Sequence, residues 1–300
     1  MTSDSTAVVG TLRRSIATLG RSLGTDVRDA TQGLYAPLHP SIPPQRVLRN
    51  LSYGAHERQV LDLHLPVSAA DSLRPVLVFV HGGGFVGGDK GGPDRPLHDN
   101  IGRFAVENGF IGATINYRFA PEYTYPSGGE DVATAVAFLA NTVAAHGGDP
   151  QRIVAMGHSA GAAHVATCVA SEDLALRATG LRGAVLSSGI YDPAALWGGV
   201  STSYYGEDES AWPRMASRGG LAKTSLPLML IVARYDPPDF HRQAALVVAE
   251  YVEERHELPE LVIGRGHNHF SSPAHYGTVD DELSTQVARF VTEITRSNQE

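Results

Sequence analysis

Short, unbroken apolar runs recur from residue 76 onward, each followed by a polar or amphipathic stretch, and this alternation most constrains what the chain can fold into. Val76–Val80, Gly109–Asn116, Arg152–Met156, Gly183–Ser187, Leu228–Ala233 and Glu260–Ile263 read as strands. An uninterrupted apolar strand has both faces to bury, which is the situation in a parallel sheet covered on both sides. Helical patterns lie between them, in Glu130–Ala145, in the small-residue stretch after Gly161, in Phe240–His256 and in Asp280–Thr295. The expected fold class is therefore α/β, a mainly parallel sheet of about eight strands with helices on both faces. Upstream, the alternation Val60-Leu61-Asp62-Leu63-His64-Leu65 within Arg46–Pro66 predicts a hairpin with one buried face, ended by Pro66.

Two segments stand outside this rhythm. Residues 1–45 combine a weakly amphipathic stretch from Val9 to Leu23 with the proline-rich His39–Pro44, and read as a short helix and an irregular, cap-like arm over a catalytic domain of residues 46–300. The interval 191–226 is longer than one crossover helix needs, and it carries Trp197, Tyr204, Tyr205 and Trp212 among glycines and serines. It reads as a cap insertion. Its aromatics either form a small core of their own or line a substrate pocket, and Trp197, Tyr204 and Tyr205 are the candidates for the second role.

Composition narrows the partners. A formal net charge of −8 argues against nucleic acid or an anionic membrane surface. The single cysteine, Cys168, excludes an internal disulfide and a cysteine-based metal site, and its place on an apolar helix face suits packing better than reactivity. Met1–Gly10 lacks the charged start and apolar run of a secretory signal, and no run is long enough to span a membrane, so the expected location is cytoplasmic.

The chemistry is concentrated at Gly157-His158-Ser159-Ala160-Gly161, which joins an apolar strand to a small-residue helix. In that context a G-x-S-x-G turn is a nucleophile elbow that lifts the Ser159 hydroxyl clear of the sheet. A serine needs a base, and the base needs a carboxylate to hold its tautomer. On such a sheet the order is serine, acid, histidine, with the last two on loops after later strands. Asp236 follows the strand Leu228–Ala233, and either His267 or His269 follows Glu260–Ile263. The remaining requirement is a set of donors for a developing oxyanion, and His81-Gly82-Gly83-Gly84-Phe85 after Val76–Val80 supplies it. Gly83 and Gly84, with the N–H of Ala160, are the candidate donors. A phosphate-binding loop is the weaker reading of the same glycines, because no Gly-Lys-Ser/Thr ending follows.

These residues resemble the α/β-hydrolase fold, specifically the carboxylesterases like hormone-sensitive lipase and their kynurenine-formamidase and feruloyl-esterase-like relatives. The resemblance runs from about Tyr53 to Phe270 and rests on Leu61–Pro66, His81–Phe85, Asn116–Glu122, Tyr125-Pro126 with Glu130-Asp131, Gly157–Gly161 and Asp236-Pro237. It implies His269 as the base, since that histidine comes three residues after Gly266 and just before Phe270. His158 stands where the lipase-like branch usually has Asp, which points toward the formamidase and feruloyl-esterase-like branch and makes His158, with Phe85, a candidate substrate contact. Arg118 and Asp131 read as a structural brace for the oxyanion loop, and His81 as an anchor of its own loop.

The expected function is hydrolysis of small-molecule carboxylic esters through an acyl-enzyme, with Ser159, His269 and Asp236 as the triad. An amidase such as an N-formylkynurenine formamidase uses the same groups on a different bond, and a non-catalytic binder of small ligands is the reading from another class. The serine mechanism implies no cofactor and no metal. The last helix and an edge strand leave a homodimer open.

Overall fold

The computed structural model describes residues 3–39, 45–68, 72–93, 96–197 and 202–296. The strands are β1 (Gln45–Ser52), β2 (Val60–Pro66), β3 (Arg74–Val80), β4 (Ile111–Ile115), β5 (Gly148–His158), β6 (Leu181–Ser187), β7 (Leu228–Tyr235) and β8 (Glu260–Asn268). They form one eight-stranded sheet in the order β1-β2-β4-β3-β5-β6-β7-β8. β2 runs against β1 and against β4. Every other pairing in the sheet is parallel. The sheet is the one the apolar runs predict.

Strand β3 shows why both faces must be covered. Side chains alternate between faces along a strand, and Val76, Val78 and Val80 enter one core cluster while Leu77 and Phe79 enter the other. The first cluster takes Val132, Val136 and Leu139 from α4 (Ser127–Thr142) and Val165 and Val169 from α5 (Ala160–Ala170). The second takes Ile101 and Phe104 from α3 (Pro96–Glu107) and Val287, Phe290 and Val291 from the helix Glu282–Ile294. Cys168 is buried in the first cluster, and burial pushes its thiol up to about 12. It is packing, not chemistry.

The N-terminal segment departs from expectation. It forms two helices, α1 (Ser3–Leu19) and α2 (Thr25–Tyr35), rather than one helix and an irregular arm. The reason is visible in α2, where Val27, Thr31 and Tyr35 are the buried positions at four-residue spacing. A threonine in the middle of that stripe hides its helical period. Leu12 and Ile16 of α1 pack with Tyr35 and Ala274 beside the carboxyl end of β8. The proline-rich residues 40–44 lie outside the described residues.

A parallel sheet also sets where ligands go, because its loops gather beyond the carboxyl ends of the strands. Val80 pairs with Gly157, His158 with Ser187 and Tyr235 with Asn268. That register brings the segments after β3, β5, β6, β7 and β8 to one edge. Those segments begin at His81, Ser159, Ser188, Asp236 and His269.

Candidate active site

Ser159 sits at φ 55° and ψ −122° between β5 and α5, a conformation non-glycine residues rarely adopt. Neighbouring backbone holds it there. Its N–H donates to the Ser187 carbonyl at 2.9 Å, and its carbonyl accepts from Ala162 and Ala163 at 3.0 and 3.2 Å. The turn is tight because α5 lies directly on β3: a Cβ at Gly161 would stand 2.1 Å from the Val80 carbonyl oxygen. Only glycine fits there.

His269 and Asp236 meet at the ends of β8 and β7. His269 Nδ1 lies 2.8 Å from Asp236 Oδ1, with the carboxylate fully buried and the ring nearly so. That contact leaves Nε2 as the ring's other nitrogen, the one a general base in such a triad turns toward the serine. Three aromatic rings confine the imidazole: Phe240 stacks at 4.5 Å, His158 lies tilted at 4.6 Å, and Phe270 meets it edge-on at 5.7 Å. Rotation of the ring is restricted by packing.

His267, the competing histidine, faces elsewhere. It contacts Ser271 Oγ at 3.2 Å and lies 3.7 Å from Asp280, wholly buried. Burial lowers its imidazole to about 4, against partial opposition from Asp280. The geometry pairs Asp236 with His269 alone.

The glycine-rich loop after β3 lies against the elbow. A Cβ at Gly82 would be 3.0 Å from Ser159 Cβ, so the two turns are in contact. Gly83 has φ 142°, and a Cβ on it would stand 1.9 Å from the Gly87 carbonyl. Gly84 and Phe85 follow with φ 61° and 71°. Gly83 and Gly84 are exposed, and Ala160 is the first residue of α5, where a backbone N–H has no acceptor within the helix. His81 anchors the loop from below, its Nδ1 2.6 Å from the Gly82 carbonyl and its ring stacked at 4.5 Å on Tyr117. Arg118 braces the next segment, with its backbone N–H and guanidinium both 2.8 Å from Asp131.

The expected substrate contacts divide. Phe85, Tyr204 and Tyr205 come together with Ala120, Ala160 and Ala163 in a buried cluster, Phe85 stacked flat on Tyr204 at 4.4 Å. The small-core reading of the insertion describes these tyrosines. Trp197 does not join them: it is 68% exposed, with the Arg242 guanidinium 4.6 Å from its ring. His158 is buried beneath the site rather than open to it, wedged between Gly82 and His269. Burial drives its imidazole well below the usual range, with the neighbouring His269 and His98 adding to the effect and the His269 backbone opposing it.

Some contributors escaped sequence reasoning. Ser188, directly after β6, donates its hydroxyl to Asp236 Oδ2 at 2.6 Å, and the Ala233 N–H donates to the same oxygen at 2.7 Å. Phe240 stacks on His269, and Arg21 of the N-terminal arm donates to the Asp236 carbonyl at 2.9 Å. The available signal for Ser188 is its place as a polar residue after the strand adjoining the elbow strand, at the same sheet edge. Among the described residues no cluster of His, Cys, Asp or Glu could hold a metal ion, and no helix is long and apolar enough to cross a membrane.

Comparison with known proteins matches residues 61–177 to the family model described as BD-FAE. The probable isoprenylcysteine α-carbonyl methylesterase ICMEL1 of Oryza sativa subsp. japonica is 40% identical over 123 residues, 41% of this chain and 27% of that protein. Carboxylesterase NlhH of Mycobacterium tuberculosis is 40% identical over 114 residues, 38% of this chain and 34% of its own length. The matches thus span about a quarter to a third of these relatives. Among solved structures, esterase B from Lactobacillus rhamnosis superposes with TM-score 0.72 at 17% identity, covering 98% of this chain and 97% of that one. A thermostable esterase from Pseudomonas putida gives TM-score 0.70 at 18% identity, with 96% of each chain covered. At such identities these likenesses establish the fold.

Proposed function

We propose that this chain, which has the α/β-hydrolase fold and is related over its central part to proteins named esterases, is itself a serine hydrolase of small carboxylic esters. Ser159 Oγ attacks the ester carbonyl as His269 Nε2 takes its proton, and the oxyanion is held by the N–H groups of Gly83, Gly84 and Ala160. The C–O bond to the alcohol breaks as His269 returns that proton to the leaving oxygen. Water, deprotonated by His269, then attacks the acyl-enzyme, and the proton goes back to Ser159 as the acid leaves. Asp236 keeps Nδ1 protonated throughout and stabilises the imidazolium.

One observation carries this reading: a buried Asp–His contact of 2.8 Å at the same sheet edge as a serine in a strained elbow. The relatives' names agree with it. The Phe85, Tyr204 and Tyr205 cluster packed on Ala160 narrows the space beside the elbow and favours short acyl groups. In the same reading, residues 191–226 act as a cap insertion and the N-terminal helices as a cap-like arm on the domain of residues 46–300.

The test is hydrolysis of p-nitrophenyl esters of graded acyl length. Acetate should be turned over faster than octanoate, and Ser159→Ala should lower turnover by about 10⁴-fold or more. An organophosphate should label Ser159 in the parent protein. Full activity in the Ser159→Ala protein would sink the proposal.

A further inference from the structure

Ser188 occupies a position that packing alone does not require. It is one of few non-glycine residues with positive φ, at 48°, and lies at the end of β6, next to the strand that carries the elbow. Its backbone is pinned there by a 2.8 Å bond from its N–H to the Ile231 carbonyl. A residue held in that region costs about 1–3 kcal/mol of strain, so such positions persist where something depends on them. The adjoining Gly189 would adopt such a conformation without penalty. The serine nevertheless stands one residue earlier.

That conformation presents the Ser188 hydroxyl to Asp236. The Oγ to Oδ2 distance is 2.6 Å and both side chains are buried, the regime in which a charge-assisted hydrogen bond is strongest. Oδ2 also takes the Ala233 N–H, while Oδ1 takes His269 Nδ1. The two oxygens are divided between two tasks: one is fixed to the scaffold and the other is turned to the base. Without the Ser188 hydroxyl, Oδ2 would keep only the Ala233 N–H, and the carboxyl plane would be held less firmly toward His269.

We propose that Ser188 is a positioning residue of the site, whose hydroxyl locks the Asp236 carboxylate so that Oδ1 stays directed at His269. The inference rests on the reading of Ser159, His269 and Asp236 as a hydrolytic triad. Ser188 touches no reacting atom and acts through Asp236. It gives a neutral donor to the carboxylate, so the negative charge stays available to the imidazolium that forms at each proton transfer.

Other titratable and charged groups surround this unit. Asp236 feels His269 and, more distantly, His267 from β8 and Tyr191 from the segment after β6, while Arg21 reaches only its backbone carbonyl. His269 faces Asp236 from the end of β7 and His158 from the end of β5. Removing the hydroxyl loosens the Oδ1 contact with His269, so the loss falls on kcat and not on KM.

The experiment compares Ser188→Gly with Ser188→Ala in the full chain, using p-nitrophenyl acetate and organophosphate titration to count competent sites. Glycine relieves the strained φ and alanine keeps it, whereas both lose the donor. The expected result is a fall in kcat of about tenfold or more per competent site in both variants, with KM little changed. A Ser188→Gly protein with parental kcat would overturn the inference, as would a loss in Ser188→Ala that Ser188→Gly restores, since backbone strain alone would then account for it. Parental activity in Ser159→Ala would instead remove the triad reading itself.

Discussion

Two histidines, two residues apart on the same strand end, each look at a buried aspartate, and the two aspartates differ in what else they hold. His269 lies 2.8 Å from Asp236, whose other side-chain partners are the Ser188 hydroxyl and the Ala233 N–H. His267 lies 3.7 Å from Asp280, which already holds the Arg13 guanidinium at 3.0 Å and the Tyr35 hydroxyl at 2.8 Å. A carboxylate served by neutral donors keeps its charge for an imidazolium. The Arg13 guanidinium shares Asp280, and burial lowers His267 to about 4 against partial opposition from Asp280. The two His–Asp contacts differ in their length and in the group that shares the carboxylate, a neutral donor in one and an arginine in the other.

The sharpest way to break the comparison is to delete each imidazole. His269→Ala should lower p-nitrophenyl acetate turnover by about 10⁴-fold, whereas His267→Gln should stay within about tenfold per competent site. Equal losses in two folded proteins would erase the distinction. Next in size are the carboxylates. Asp236→Asn should cost turnover by a factor of about 10³–10⁴ with little loss of stability, since the amide can satisfy some of the same donors but presents the wrong tautomer partner to His269. Asp280→Asn should do the reverse, leaving turnover per site near parental and lowering thermal stability by about 1–3 kcal/mol, because Arg13 loses a buried partner. The Arg13 side chain is about a third exposed, which keeps that loss moderate. Thermal melts with active-site titration read both.

The smallest effect is a pH slope. His267 and His275 fall to about 4 and about 3 on burial, from an ordinary 6.5. Below pH 6.5 the unfolded chain therefore binds protons that the folded chain refuses, so stability declines as pH falls from about 6.5 toward about 4. Asp280, held below the usual carboxylate range, contributes stability that is present above its ordinary value of 3.8 and lost on further acidification. Denaturant titrations at pH 7.5, 6 and 5 should show the first decline, and His267→Gln should lessen it, the remainder coming from other buried histidines such as His64, His164 and His275. An unchanged slope would show that His267 is not titrating with unfolding.

Much of the fold is legible in the residues because its determinants are local. The apolar runs anticipate the parallel strands, and proline and glycine mark their ends. The elbow is legible for the same reason: a strand, a small-residue turn and a helix are contiguous. What stayed hidden involves residues far apart in the chain. Helix α2 carries a threonine on its buried face, which blurs its period until Thr31 is seen bonded to Asn268 at 3.0 Å. Trp197 and Tyr204 look alike as aromatics of one insertion, yet one is exposed and the other stacks on Phe85. His158, a candidate substrate contact in the sequence, is a wall of the His269 pocket.

The sequence by itself determined a layered α/β sheet and the edge at which its chemistry gathers, because strand periodicity and turn composition act over a few residues. It also ordered the candidates along the chain. Only the tertiary structure decided which aspartate each histidine meets and what else that aspartate holds. Those pairings depend on where Arg13, Tyr35 and Ser188 arrive from distant segments, and a contact across 267 residues, like that of Arg13 with Asp280, leaves no local pattern to read.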